Sequence, residues 1–351
     1  MLKIRKPQIT LLEKLTNAIA VSGDEGAVRK IVRAEIEDIV DETKTDAMGN
    51  ILVIKRGKGK KRLKVMLAAH MDEIGFMLVN EESDGLFEFA PLGGIDPRQL
   101  AGKAVWVGRE KVPGVIGAAP IHLLSPGQYN NKIPIGELRI DVGLGKPNVK
   151  VGDRATFRNQ FLRMGDSIRA KALDDRLGVA ILIELIKNAP ENIDLLAAFT
   201  VQEELGLRGA KVAAHALDPD LALAIDSTPA YDLPMYDGSE NIRYNTKLGA
   251  GPAIYTVDGR TLSDPRIIRW LSETGDAKKI PYQYRQPGGG GTDAGSIHIS
   301  RAGIPTGSVS VPGRYAHTAM GLCRIKDWEN TLNLLHAALS DLSPNLLEEA
   351  R

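Results

Sequence analysis

The chain has one cysteine, Cys323, among 351 residues. That scarcity excludes an intrachain disulfide framework and any thiolate metal cluster, and it fits a reducing compartment. Charge of neither sign dominates: the formal net charge is +1, so no field draws the chain to nucleic acid or to an anionic membrane. Long apolar runs are missing as well. No stretch approaches the roughly 20 uninterrupted apolar residues of a membrane-spanning helix. The N-terminal MLKIRKPQIT is basic but lacks the apolar segment of a secretory signal. These absences lead us to expect a cytoplasmic protein with neither nucleic acid nor a membrane as partner.

What is present is ordinary in bulk and informative in pattern. Hydrophobic residues make up 43% and charged residues 25%, as in soluble globular proteins, and the length allows two domains or one with a large insertion. Leu11, Leu12, Leu15 and Ile19 recur at helical spacing before Gly23, and a second amphipathic helix follows from Ala27 to Val40. LKVMLAAH, with its apolar run Val65 to Ala69, reads as a central strand buried on both faces. Residues 74–161 change texture to short β-type runs broken by Gly, Pro, Asn and Asp. From Ala172 onward helix and strand alternate. The pattern predicts an α/β fold: a mixed, mostly parallel sheet flanked by helices, built from residues 1–73 and 162–351, with a β-rich domain of residues 74–161 inserted.

The chemistry gathers at strand ends. LKVMLAAH ends in His70, DLLAAFTVQEE in Glu203 and Glu204, LALAID in Asp226, and SVSVPGRYAH reaches His317 shortly after its strand. In open α/β sheets ligands bind beyond the carboxyl ends of the strands, so these residues can converge although they are far apart in sequence. Asp174, in KALDDRLG before a helix, adds a carboxylate. Nitrogen and oxygen ligands without sulfur suit zinc first, with cobalt or manganese as alternatives. Two divalent cations would be balanced by Asp174, Glu204, Asp226 and one hydroxide. Glu203 is then surplus, and a surplus carboxylate beside an activated water suits a general base. Asp72, two residues beyond His70, is placed to accept the other imidazole N–H. His122, His215, His298 and His336 follow no strand end with acids alongside and read as structural or surface residues. GGGGTDAG lacks the lysine of a phosphate-binding loop and reads as a flexible wall of the cleft, with Thr292 placed to cap the helix that follows.

Taken in order, HMDEIG, KALDDR, VQEELGLRGA, IDST, GGGTDAGSIHISRAGIPT and RYAHT resemble the TET-type aminopeptidases, a family of dinuclear metallopeptidases, along essentially the whole chain. The resemblance implies a zinc-peptidase-like fold with Asp174 bridging two divalent metal ions. It implies that His70 and Asp226 complete one metal site, Glu204 and His317 the other, with Glu203 as base and Asp72 orienting His70. It further implies a cis peptide between Asp174 and Asp175, a β-rich domain that mediates dimerisation, and homo-oligomers in which dimers assemble into tetrahedral dodecamers.

The expected activity is hydrolysis of N-terminal residues from peptides. An amidase or deacylase acting on small N-acyl compounds would use the same chemistry. An endoglucanase would account for paired acids but gives no use for His70 and His317. A noncatalytic shell protein would leave the whole ligand set without purpose. Arg285, Arg314 and Tyr315 flank the loops expected to wall the cleft.

Overall fold

The apolar run of LKVMLAAH forms the strand Leu63–His70, buried from Val65 onward, in the middle of an eleven-stranded sheet. The computed structural model describes residues 1–351 apart from Lys60, Tyr129, Lys146, Pro147, Glu240, Arg243 and Tyr244. Along Leu63–His70 the side chains alternate between two cores. Val65, Leu67 and Ala69 pack with the helices Lys6–Asn17, Gly26–Ile36, Leu173–Lys187, Pro265–Lys278 and Ile325–Ser340. Met66 and Ala68 pack on the opposite face with Arg208–Leu217 and Ala294–Ile297. A strand covered on both sides has no polar face to show, which is why its sequence is continuously apolar.

Four parallel strands make the centre of the sheet, in the order Ile193–Thr200, Leu63–His70, Leu221–Pro229 and Thr306–Arg314. Antiparallel strands extend it at both ends: Ile51–Lys55 and Glu42–Thr45 on one side, Gly321–Arg324, Ser167–Ala170 and Leu162–Met164 on the other. Ala68 pairs with Ala224. Two residues on along each strand, His70 and Asp226 stand at one level, and both belong to the carboxyl end of the sheet.

The β-rich region is a closed six-stranded barrel whose strands run from Gly75 to Phe157. Closure leaves no free strand edge to template aggregation. It has its own core, where Phe76 meets Phe89 and Phe157 edge to face at 5.0 and 5.3 Å. Each such pair adds about 0.5–1.5 kcal/mol beyond the area it buries. The barrel is fastened to the α/β layer through buried Glu73. Its carboxylate accepts hydrogen bonds from Thr156 Oγ1 of the barrel at 2.9 Å, from Lys171 Nζ at 2.7 Å and from the Ala20 amide at 3.0 Å, with Arg176 Nη2 at 3.5 Å. No described helix is long and apolar enough to cross a membrane.

Candidate functional site

The acids and imidazoles singled out in the sequence meet at the carboxyl ends of the central strands. Asp174, Glu203, Glu204, Asp226 and His317 line one cleft of about 670 Å³. His70, buried, reaches it through Asp174: His70 Nε2 lies 3.0 Å from Asp174 Oδ1 and 3.8 Å from Asp226 Oδ1. The second oxygen of Asp174 faces the other way, with Oδ2 3.5 Å from His317 Nε2, which is itself 3.5 Å from Glu204 Oε2. Asp174 thus belongs to two groups, His70–Asp174–Asp226 and Asp174–Glu204–His317, in each of which one ligand atom per residue lies within 4.8 Å of the others. Either group has the nitrogen and oxygen donors that suit zinc, cobalt or manganese. None of His122, His215, His298 and His336 joins them.

Local backbone geometry explains how neighbouring residues share one site. The strand carrying the paired acids ends at Thr200, earlier than its sequence implies, and Gln202 adopts a left-handed conformation with φ of 55°. The turn breaks the strand's alternation, so Glu203 and Glu204 both line the cleft. Asp226, by contrast, lies inside its strand, which continues to Pro229. Ala172, Tyr315 and His317 are also left-handed, with φ of 51°, 63° and 55°. Such residues cost about 1–3 kcal/mol each and persist where surrounding bonds over-determine them. Those bonds are present. Asn50 Oδ1 accepts from the Val201 amide at 3.0 Å while its Nδ2 donates to the Gly209 carbonyl, bracing the turn from both sides. Gly209 has no alternative, because a Cβ there would stand 2.3 Å from Asn50 Oδ1.

Asp72 does more than the sequence indicated. His70 Nδ1 lies 3.1 Å from the Asp72 backbone carbonyl and 3.5 Å from its Oδ1. The Asp72 carboxylate accepts from the amides of Glu203 and Glu204 at 3.0 and 3.3 Å and from Ser22 Oγ at 2.6 Å. One residue therefore fixes the imidazole and the turn that carries both glutamates. The barrel contributes as well: the Gly94 carbonyl lies 2.9 Å from His317 Nδ1. The peptide between Asp174 and Asp175 is cis.

The electrostatics of the cleft are those of excess negative charge. Burial pushes Glu204 up to about 8 and Asp226 up to about 7, and the charge of Asp174 adds to both. Glu203 is pushed well above the ordinary carboxylate range by burial, with Asp226, Asp293 and Glu204 adding to it. Against its burial, hydrogen bonds from His317 and His70 hold Asp174 well below that range. Against its own burial, His317 is pushed up to about 10 by Asp174 and Glu204. Carboxylates held this close in a site of low polarity call for cations.

Asp293 was not singled out from the sequence. It is buried at the start of the short helix Ala294–Ile297, accepts a hydrogen bond from Thr200 Oγ1, and is pushed up to about 6 by burial. Its neighbour Thr292 accepts from the Ala294 amide at 3.3 Å, but the capping position of that helix falls on Asp293, whose side chain makes no cap bond.

Fold and site together define an α/β protein with a carboxylate-rich cleft at the carboxyl end of its sheet. The chain matches the family model described as M42 glutamyl aminopeptidase over residues 49–334. It is 32% identical to the lysyl aminopeptidase of Pyrococcus furiosus, over 95% of this chain and 97% of that one. Among solved structures, an aminopeptidase from the archaeon Desulfurococcus kamchatkensis superposes with a TM-score of 0.91 at 35% identity, covering 97% of each chain. The TET1 peptidase of Pyrococcus horikoshii, described as assembling into a tetrahedron or a large octahedral shell, superposes at 0.82 with 35% identity, over 95% of this chain and 100% of that one. The chain belongs to the M42 glutamyl aminopeptidase family.

Proposed function

We propose that the protein is a metal-dependent aminopeptidase that removes N-terminal residues from peptides through a dinuclear site. The observation that carries this reading is the two-sided Asp174 carboxylate, shared between two three-residue groups that leave Glu203 unused. His70, Asp174 and Asp226 would hold one divalent ion, and Asp174, Glu204 and His317 the other, zinc being the first choice. When bound, the ions supply Lewis acidity that polarises the scissile carbonyl and acidifies water.

The chain's own residues do the rest. Glu203, on the cleft wall and beside Asp226, Asp293 and Glu204, has the raised proton affinity a general base needs to take a proton from attacking water and return it to the leaving amine. Asp72 holds Glu203 in register through its backbone amide. The positioning bonds around Asp72, Asn50 and Gly94 keep the reacting groups aligned, which is worth as much as their acidity.

The described assembly of the Pyrococcus horikoshii peptidase and the separately closed barrel support a homo-oligomer in which the barrel, taken as residues 74–161, mediates dimerisation and dimers build a dodecamer, and we place it in the cytoplasm on the sequence reading alone. Sedimentation of the purified protein reads this directly. The test of the chemistry is Glu203→Gln. Metal analysis should find two ions per chain in wild type and variant alike, while turnover of aminoacyl amides falls about 10²- to 10⁴-fold. A variant with full metal content and normal turnover removes Glu203 from the role.

A further inference from the structure

The loop that carries both glutamates has its two ends joined by one side chain. Glu203 and Glu204 lie between Val201, just past the strand Ile193–Thr200, and Gly209, in the first turn of the helix Arg208–Leu217. Asn50 reaches both ends: Oδ1 accepts from the Val201 amide at 3.0 Å, and Nδ2 donates to the Gly209 carbonyl at 3.1 Å. Between them the Glu203 carbonyl accepts from the amides of Gly206 and Leu207, each at 2.8 Å, so the segment is a compact turn pinned at its base. Sheet pairing puts Asn50 there. The strand Ile51–Lys55 runs antiparallel to Ile193–Thr200 with Ile51 opposite Phe199, and its start therefore lies beside the other strand's carboxyl end.

An amide can join these ends only one way round, and Asp46 fixes which. Asn50 is fully buried, and its Nδ2 also donates to Asp46 Oδ2 at 2.6 Å. The amide nitrogen thus faces two acceptors and the amide oxygen faces a donor, so a flip would set oxygen against two oxygens and NH2 against an N–H. The carboxylate is itself held by the hairpin turn it closes. Asp46 Oδ1 accepts from the amides of Met48, Gly49 and Asn50 at 2.9, 2.9 and 3.0 Å. Arg29 Nε donates to the Gly49 carbonyl at 2.8 Å from the helix Gly26–Ile36. Neither Asp46 nor Asn50 is among the residues that line the cleft.

We propose that Asp46 is a positioning residue for the hydrolysis: by locking the Asn50 amide it keeps Val201 and Gly209 in the register at which the loop aims Glu203 into the cleft. This rests on the aminopeptidase reading above, with Glu203 as base, and extends it to a carboxylate outside the cleft. Two supports then divide the loop between them. Asp72 holds the Glu203 and Glu204 amides, and Asp46 acts through Asn50 on the loop's ends. A base displaced by a fraction of its reach loses rate although its chemistry is intact.

The test is Asp46→Asn, made in the wild type and in Glu203→Gln, with Asn50→Asp beside it. Asparagine at position 46 keeps an oxygen for the three turn amides but turns an NH2 toward Asn50 Nδ2, so it removes the lock and spares the turn. Asn50→Asp sets a carboxylate oxygen against the Gly209 carbonyl and Asp46, and so removes the clamp itself. Turnover of alanyl, glutamyl, leucyl and lysyl p-nitroanilides is measured on metal-loaded protein, together with metal content. Asp46→Asn should lower kcat about 10- to 100-fold, change KM by less than about threefold, and keep both ions. Asn50→Asp should lower kcat at least as far. In Glu203→Gln, adding Asp46→Asn should cost no further turnover, because groups that act as one unit are not additive.

An unchanged kcat in Asp46→Asn overturns the inference. So does an equal fall in both backgrounds, since a general loosening of the fold acts with or without the base. A fall that excess metal restores overturns it as well, by moving the effect to Glu204. If no amide is cleaved, or if Glu203→Gln is fully active, the reading of the site falls first, and hydrogen exchange of the metal-loaded protein decides the lock alone. Faster exchange in Asp46→Asn confined to residues 199–209 and their hairpin upholds it, and unchanged exchange there refutes it.

Discussion

Asp72 and Glu73 are neighbours in sequence, both buried, and they serve two ionic clusters of opposite design. Around Glu73 the carboxylate has its cations at hand, one acid against Lys171 and Arg176. Despite its burial, Lys171 and Arg176 hold its carboxyl below the ordinary range, while burial brings Lys171 down to about 8. Around Asp72, on the cleft side, acids outnumber the imidazoles, and Glu203, Glu204 and Asp226 are pushed upward. The first cluster is complete without any addition and fastens barrel to sheet. The second is complete only when cations arrive. A buried charge in itself therefore says little about function, and the balance of its surroundings says a great deal.

The sharpest way to break the comparison is to remove the acid from the first cluster. Glu73→Gln leaves Lys171 and Arg176 as buried cations without a carboxylate, and should cost about 3–5 kcal/mol in chemical denaturation at pH 7. The pH dependence follows from the direction of the shift. Because the folded-state pKa of Glu73 is lowered, its contribution is fully present above the ordinary carboxylate range and is lost as pH falls through the folded value. The gap between wild type and variant should thus narrow in acid. A gap that widens there would mean that Glu73 is not the ionised partner.

The unmatched side should respond to added cations instead. Zinc, cobalt or manganese at about 100 times its dissociation constant should stabilise the protein by about 2.7 kcal/mol, read as a rise in melting temperature. Asp174→Asn should abolish most of that rise, since Asp174 belongs to both groups. Glu203→Gln should leave it intact, and Glu73→Gln should lower the baseline without changing the increment. A full increment in Asp174→Asn would separate the two groups from metal binding.

Much of this contrast was legible in the sequence, but not all. That His70, Glu203, Glu204, Asp226 and His317 share a cleft region could be expected because strand ends in an apolar pattern point to a common crevice, whereas Asp72 was read from its spacing to His70 and Asp174 from its place at a helix start. Asn50 and Asp293 could not, since their importance lies in bonds to the Val201 amide and to Thr200, set by tertiary packing rather than by local pattern. Nor could the Gly94 carbonyl that faces His317, because docking of the barrel on the sheet leaves no periodic trace. The strand end at Thr200 was misplaced for a related reason: a left-handed Gln202 is unfavourable on its own and is held there by Asn50 and Asp72.

The smallest expected effect probes where the two clusters meet the barrel. Thr156 Oγ1 donates to Glu73 Oε2 from inside the barrel, and valine matches threonine in shape while removing that donor. Glu73 keeps Lys171, Arg176 and the Ala20 amide, so no charge is orphaned. The loss should then be that of a hydrogen bond to a charged group, about 1.5–3 kcal/mol at most and less if the other donors tighten. Thr156→Val should leave the cation-induced rise in melting temperature unchanged, because Asp72 reaches the cleft through Ser22, Glu203 and Glu204 rather than through Glu73. If the variant instead costs as much as Glu73→Gln and blunts the response to metal, the clusters are one network, and the barrel controls the catalytic cleft through Thr156.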